Sequence, residues 1–314
     1  MSERLRRVRR FLPIAVSVAA LAVLFTQIPL ARVLRALSWD VALWLLPALL
    51  LYGAVSLAVE ALSLARLVPE AGGRLPVARA ARIKAATYLL GIAQYALGLG
   101  ALAVLLRRRA GVSLGDGAGV ALLITSVDLL ILLGLSSLGA LALGAQAAEV
   151  KAGVVVAAGV GFAAGFALLR LPGSLGPVDR IRELSVFRAL RVARPATLAR
   201  LLVLRLVFVL SFITLTGVAL HAFGATLPVG DLFVGVAVVA LVASLPIAVA
   251  GIGTSQVAFV FIFRHHADEA TLLACNLVLS AGLILLRVGL GLLFAGEFAS
   301  EASEAAQTVE RGEA

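Results

Sequence analysis

Polar side chains follow a break in an apolar stretch, and they are the first candidates for chemistry. Residues 244–263 read SLPIAVAGIGTSQVAFVFIF, a run long enough for a membrane helix but broken by Pro246 and by two glycines. Hydroxyls, an amide and the free backbone N–H groups of a restarting helix could hold a phosphate or a sugar. Helix capping and inter-helix hydrogen bonds explain the same side chains without a ligand. The predicted substrate-binding residues here are Gly251, Gly253, Thr254, Ser255 and Gln256.

A second candidate group lies in the first half of the chain. Gly98 and Gly100 favour non-helical backbone inside another apolar run. Gln94 precedes them and corresponds to the polar side chains that follow the glycines of the first candidate group. That run ends with three arginines, Arg107, Arg108 and Arg109. We predict that the two glycines and Gln94 contribute to substrate binding and that the three arginines bind lipid head groups.

Two charged residues lie well inside apolar runs. Asp128 and Arg287 would each cost at least about 2.5 kcal/mol if they faced lipid alone, so each needs a partner or a wet cavity. We expect them to pair with one another. Such a pair could serve structure alone or could gate a substrate path.

Catalytic and metal-binding motifs are missing from the sequence. There is no HExxH, Walker or GxSxG motif, and Cys275 is the single cysteine. The adjacent His265 and His266 are a poor metal site because neighbouring residues rarely point at one ion. We therefore expect no enzymatic activity, no cofactor and no bound metal.

The composition is that of an all-α polytopic membrane protein. Hydrophobic residues make up 62% of the 314 residues and charged residues only 14%. We predict six full transmembrane helices, at residues 11–25, 41–64, 118–143, 152–171, 201–223 and 271–294. The net charge of +10 comes from arginine clusters between apolar runs, which the positive-inside rule explains better than nucleic-acid binding does.

Two interrupted elements complete the predicted fold. The run at residues 85–106 cannot cross without carrying three arginines outward, so we predict a re-entrant hairpin that returns to the cytoplasm. The second interrupted element, from residue 232 to residue 266, would enter from the other side. Each is followed by a long span bearing one charge, which suggests an inverted repeat with halves at residues 11–150 and 151–296. Residues 1–10 form a basic cytoplasmic N-terminus, and residues 297–314 form an acidic, disordered cytoplasmic tail.

The second interrupted element resembles the membrane domain of the lysylphosphatidylglycerol synthase family, also described as flippase-like integral membrane proteins. The residues that carry the likeness there are Leu245, Pro246, Ala250, Gly251 and Gly253. Matches to the family's first motif are Gly100, the three arginines from Arg107 and the segment Gly111 to Ser113. The family's two glutamates are replaced by Ala101 and Gln256, and its hairpin arginines by Gly98 and Ser255.

The resemblance implies a lipid flippase-like transporter in the cell inner membrane that moves an anionic or glycosylated lipid between leaflets. The replaced glutamates keep open an alternative, a non-transporting scaffold or accessory subunit of a lipid or envelope synthesis complex. A membrane-embedded lipid-modifying transferase is a third, weaker reading because catalytic residues are missing. Membrane lipids are the expected partners, together with a second copy of the chain or another membrane protein.

Overall fold

The computed structural model describes residues 38–93, 95–142, 184, 187–244 and 253–294. The predicted spans at residues 11–25 and 152–171, the basic N-terminus and the acidic tail lie outside these residues. Every regular element described is helical. The helices are α1 (Trp39–Leu67), α2 (Val77–Ala93), α3 (Tyr95–Ala110), α4 (Leu114–Ala142), α5 (Arg188–Val192), α6 (Pro195–Ala222), α7 (Val229–Ser244), α8 (Thr254–Phe263) and α9 (Glu269–Leu293), with a short 3₁₀ turn at Pro69–Ala71.

Four of these helices are long and apolar enough to cross a membrane: α1, α4, α6 and α9. They correspond to four of the six predicted full spans. The 29 residues of α1 extend about 43 Å, which exceeds the roughly 30 Å hydrocarbon core. The all-α polytopic fold class predicted from composition is therefore confirmed.

Contacts at the helix ends give the direction of each span. Thr197, in the first turn of α6, donates a hydrogen bond to Glu70, which follows the end of α1. At the other end, the rings of Trp44 in α1 and His221 in α6 meet edge to face with centroids 5.8 Å apart. Helices α1 and α6 are therefore antiparallel neighbours.

The two ends of the bundle differ in charge. We call the end with Glu70 and the start of α6 the basic end, because Arg74, Arg194 and the three arginines that end α3 lie there. We call the other end the opposite end.

Helices α2 and α3 form a hairpin, hairpin 1, that opens at the basic end. The backbone N–H of Arg74, before α2, donates to the carbonyl of Ala110 at the end of α3, at 3.1 Å. The chain thus enters and leaves at the same place, as predicted. Each arm is about 25 Å long.

The glycines of hairpin 1 act differently from the prediction. Gly98 and Gly100 lie within the continuous helix α3, so the expectation of non-helical backbone there is wrong. A Cβ atom on Gly98 would lie 2.8 Å from the Cα of Gly91 in α2. Glycine at positions 91 and 98 therefore allows the two arms to touch backbone to backbone, as small residues do in membrane helix pairs. The position between the arms, Gln94, is outside the described residues.

Helices α7 and α8 form a second hairpin, hairpin 2, that opens at the opposite end. A Cβ on Gly235, near the start of α7, would lie 2.5 Å from the ring of Phe263, the last residue of α8. His266, after α8, lies 3.3 Å from Asp231 in the first turn of α7. This contact joins the two arms at the open end of the hairpin. Helix α8 begins at Thr254 directly after Gly253, whose φ of +95° is non-helical, in agreement with a break at that glycine; residues 245–252, with Pro246 and Gly251, lie outside the described residues.

The last span begins with a side-chain cap. Asp268 accepts hydrogen bonds from the backbone N–H groups of Ala270 and Thr271. The hydroxyl of Thr271 also donates to Asp268, and this bond holds the pKa of the carboxyl below its usual value. Helix α9 then runs parallel to α1, with Gly282 against Leu49 and Leu286 against Gly53.

The order of parts is the same in the two halves, with reversed direction. Helix α1, hairpin 1 and α4 follow one another in the first half, as α6, hairpin 2 and α9 do in the second. Because α1 and α6 are antiparallel and the hairpins open at opposite ends, the halves are inverted. This is the arrangement that the predicted inverted repeat requires.

The contact between Gly91 and Gly98 gives a first test. Replacing Gly98 by Ala places a methyl group against backbone that has no room for it, whereas nothing lies within 4 Å of a Cβ on Gly100 in the same helix. We expect Gly98→Ala to lower the thermal unfolding temperature in detergent and Gly100→Ala to leave it unchanged or raise it, since Ala is the better helix former by about 1 kcal/mol. Equal shifts for both variants would contradict the backbone contact.

Candidate functional site

Four charged side chains meet inside the helical bundle. Arg205 of α6 donates two hydrogen bonds to Asp128 of α4, from Nε to Oδ1 at 2.6 Å and from Nη2 to Oδ2 at 2.5 Å. Its Nη1 lies 3.5 Å from Oε1 of Glu60 in α1. Lys84 of α2 approaches the second oxygen of Glu60 at 3.2 Å. We call these four residues the charge cluster; they join four helices.

Helix packing sets the level at which the cluster forms. Antiparallel α1 and α6 bring Glu60 and Arg205 to the same depth below the basic end, and α4 also packs against α6. Arg205 is only 1% exposed and stacks over the ring of Phe208, 4.1 Å from its centre. A buried guanidinium needs carboxylates on several sides, because desolvation of a lone charge costs several kcal/mol.

The predicted pair of Asp128 and Arg287 is wrong. Both carboxylate oxygens of Asp128 are bound by Arg205, and no carboxylate of the described residues lies within ion-pair distance of Arg287. Arg287 instead lies over the ring of Tyr88, with 6.0 Å between its guanidinium carbon and the ring centre, and its side chain is exposed. The repeat placed the two charges on equivalent helices, but equivalent helices need not be neighbours.

A small cavity separates Arg287 from the charge cluster. It is about 30 Å³, which is room for about two water molecules. Its polar lining consists of two tyrosines, a serine, Arg287 and the cluster residue Glu60. The lining residues are Tyr52, Ser56, Glu60, Tyr88, Phe208, Leu286, Arg287 and Leu290. Within the described residues neither tyrosine hydroxyl forms a hydrogen bond, whereas Ser56 donates to the carbonyl of Gly53 at 3.1 Å.

The charges around this cavity do not cancel. The carboxylates of Glu60 and Asp128 offset the cations of Lys84 and Arg205, which they contact directly. Arg287 remains as one positive charge without a counter-ion among the described residues. The site therefore suits a monoanion placed between Arg287 and the tyrosine hydroxyls.

The residues after the second glycine pair serve local structure. Gly253 has φ +95°, a conformation that favours glycine, and its N–H donates to Oε1 of Gln256 at 2.6 Å. Ser255 donates to the same oxygen, and Nε2 of Gln256 donates to Ser280 of α9. Gln256 is 1% exposed. It caps α8 and ties it to α9, which is the alternative explanation that the sequence left open; Thr254 follows as the first residue of the same helix.

The remaining predicted residues lie apart from the charge cluster. Arg107, Arg108 and Arg109 occupy the last turn of α3 at the basic end, where cations also favour a helix C-terminus. Gly98 and Gly100 lie within α3, while Gln94 and Gly251 are outside the described residues. Among the described residues no group of three His, Cys, Asp or Glu could hold a metal.

Sequence reasoning missed Glu60, Lys84 and Arg205. Glu60 and Arg205 fall inside the predicted spans at residues 41–64 and 201–223, so the rule that singled out Asp128 applies to them equally. Arg205 and Lys84 lie near the ends of apolar runs, where a charge is equally compatible with a flanking loop. For the cavity tyrosines, Tyr52 and Tyr88, the only sequence feature is a polar group within an apolar run.

The charge cluster and Arg287 give contrasting predictions for two arginines in apolar helices. Arg205→Gln leaves the buried Glu60 and the partly buried Asp128 each short of a partner, so we expect it to lower the free energy of unfolding by about 3–5 kcal/mol. Arg287→Gln removes an exposed charge with no carboxylate partner, and we expect a change below about 1 kcal/mol. Denaturant titration of both variants in the same detergent measures the difference. A larger loss for Arg287→Gln would favour the pairing rejected above.

A known protein family matches most of the chain. A search of curated proteins found no match. A family profile described as the lysylphosphatidylglycerol synthase TM region matches residues 10–291, which include all nine described helices apart from the last two residues of α9. The family ties this membrane protein to lipid metabolism, and the resemblance carried by residues 244–263 is thereby confirmed. The chain belongs to the lysylphosphatidylglycerol synthase TM region family.

Proposed function

We propose that the chain is a lipid flippase-like transporter and that the cavity beside Arg287 receives the head group of an anionic or glycosylated lipid. The observation that carries the proposal is Arg287, a cation in a membrane-spanning helix that has no carboxylate partner among the described residues and lies next to a polar cavity. Charged side chains inside membrane spans are rare, and substrate or ion pathways are among the sites where they occur. Family membership supports a role in lipid metabolism.

Passage of a head group requires the cavity to enlarge. Its present volume of about 30 Å³ holds water but not a phosphate ester, so we assign this conformation to a closed state. Tyr88 and Lys84 both lie on α2 of hairpin 1, and only Lys84 among the charge cluster residues belongs to a hairpin. Movement of α2 away from α9 would widen the cavity at Tyr88 and would stretch the contact between Lys84 and Glu60.

In this mechanism the side chains bind and orient, and no bond is made or broken. Arg287 would bind a phosphate oxygen, and the hydroxyls of Tyr52 and Tyr88 would donate to further oxygens of the head group. Arg205 would keep α1, α4 and α6 together while hairpin 1 moves. We propose that the protein is a transporter and not an enzyme.

The transport proposal is tested with purified chain in proteoliposomes. The assay follows the accessibility of a labelled head group to a membrane-impermeant quencher, with phosphatidylglycerol, a polyprenyl-linked lipid and a glycolipid tested in turn. We expect accelerated flip for at least one of them and a loss of about tenfold or more in Arg287→Gln, because a charge-assisted hydrogen bond contributes about 1.5–3 kcal/mol.

Arg264→Gln is the matched control, since Arg264 is also exposed and lies over an aromatic ring, that of Phe261, but at the opposite end. It should flip lipid at the wild-type rate. Absence of accelerated flip for every lipid, in protein that remains folded, would count against transport.

The second candidate function is a non-transporting scaffold or accessory subunit. Two observations favour it. The cavity is small. Gln256, which replaces a family glutamate, uses its side-chain hydrogen bonds to cap α8 and to bind Ser280. A scaffold would co-purify with a stoichiometric partner from its native membrane and would leave flip rates unchanged.

We also propose that the protein resides in the cell inner membrane with the basic end facing the cytoplasm. Arginines at that end support this orientation by the positive-inside rule. Cys275 is fully buried, so a new cysteine can be labelled alone. We expect an impermeant maleimide added to intact cells to label His265→Cys at the opposite end and to label Arg74→Cys only after lysis. The reverse pattern would invert the topology.

A further inference from the structure

A groove outside the charge cluster runs along α1 and α6 near the basic end. It is open and measures about 680 Å³, far more than the cavity beside Arg287. Val203, on its wall, is 62% exposed, while Leu201 and Arg205 of the same helix are buried, so the groove lies on the outer face of the bundle. Its lining residues are Leu62, Arg66, Ala199, Arg200, Val203 and Leu204.

The lining is ordered along the helix axes. Arg66 is the last but one residue of α1 and Arg200 is in the second turn of α6, so both arginines lie near the basic end. The apolar residues Leu62 and Val203 lie about one turn deeper in their helices. A cationic upper part and an apolar lower part follow the order of a phospholipid, whose head group lies above its acyl chains.

Within the part of the chain that the structure describes, neither arginine of the groove forms an ion pair. Other arginines at this end contact carboxylates: Arg188 lies 3.6 Å from Asp116, and Arg194 lies 3.6 Å from Glu70. No described carboxylate lies within ion-pair distance of Arg66 or Arg200, and both side chains are exposed. The groove therefore offers two guanidinium groups to an anion from outside the chain.

We infer that this groove binds an anionic phospholipid through its phosphate group. Guanidinium groups bind phosphate oxygens in pairs of hydrogen bonds, and each cation near an anionic bilayer surface adds to the affinity. The acyl chains lie along Leu62, Val203 and Leu204. A zwitterionic lipid binds less well, because its own ammonium group is repelled by the two arginines. The site is separate from the cavity beside Arg287 and does not depend on transport.

Native mass spectrometry of the detergent-solubilised full chain tests the inference. Phosphatidylglycerol and phosphatidylcholine with the same acyl chains are added at equal concentration, and the bound fraction of each is measured. We expect preferential retention of phosphatidylglycerol and a drop of at least about fivefold in its affinity in the double variant Arg66→Gln, Arg200→Gln. Arg66→Lys, Arg200→Lys keeps both charges and should retain the preference in part.

The matched control is Arg74→Gln, Arg79→Gln, which removes two exposed charges at the same end but outside the groove. It should bind phosphatidylglycerol as the wild type does. Equal binding of the two lipids, or unchanged phosphatidylglycerol binding in the groove variant, overturns the inference. A change from dimer to monomer in that variant with unchanged lipid binding also overturns it, since the groove would then be an interface between copies of the chain.

Discussion

Burial of one guanidinium group constrains the whole bundle. Arg205 is almost completely enclosed, and a charge in that position is tolerated only while carboxylates surround it. Asp128 binds it with two hydrogen bonds from α4, and Glu60 approaches it from α1. Three spans therefore have a fixed depth relative to one another. Any sliding of α6 by one turn would separate Arg205 from both acids.

The two halves are inverted in backbone and complementary in charge. Both acids of the charge cluster belong to the first half, and Arg205 and Arg287 belong to the second. The contacts of Arg205 with Asp128 and Glu60 consequently cross between the halves, whereas the contact of Lys84 with Glu60 stays within the first. Glycines complete the association, since Gly53 and Gly282 let α1 and α9 approach through leucine side chains of the partner helix. Ion pairs hold the halves together at the charge cluster, and close packing of α1 against α9 adds to this contact.

The sequence was sufficient for the fold class and for the hairpin architecture, because both follow from hydrophobic length and from the sign of flanking charge. It was not sufficient for the ion pairs. Asp128 and Arg287 were paired by analogy between repeats, but the partner of a buried charge depends on which helices touch, and α4 touches α6. Gly98 shows a similar limit. A glycine in an apolar run permits either a break or a close helix contact, and only the position of Gly91 decides for contact. The apolar run alone does not assign residues near span boundaries, such as Lys84, because a helix can continue beyond its apolar part.

Hairpin 1 and hairpin 2 differ in how their polar groups are used, and this difference bears on which of them could move. In hairpin 2, Gln256 is bonded to Gly253 and to Ser280, and His266 contacts Asp231, so its polar groups are satisfied within the second half. Hairpin 1 is held to the charge cluster by the single contact of Lys84 with Glu60, and it borders the cavity through Tyr88. One oxygen of Glu60 would remain near Arg205 if Lys84 withdrew, so the acid would keep a counter-ion. Displacement of hairpin 1 thus breaks one ion pair, whereas displacement of α6 breaks the contacts of Arg205 with two carboxylates and leaves Asp128 without a cation among the described residues. On these ion pairs alone, movement of hairpin 1 costs less electrostatic free energy than movement of α6.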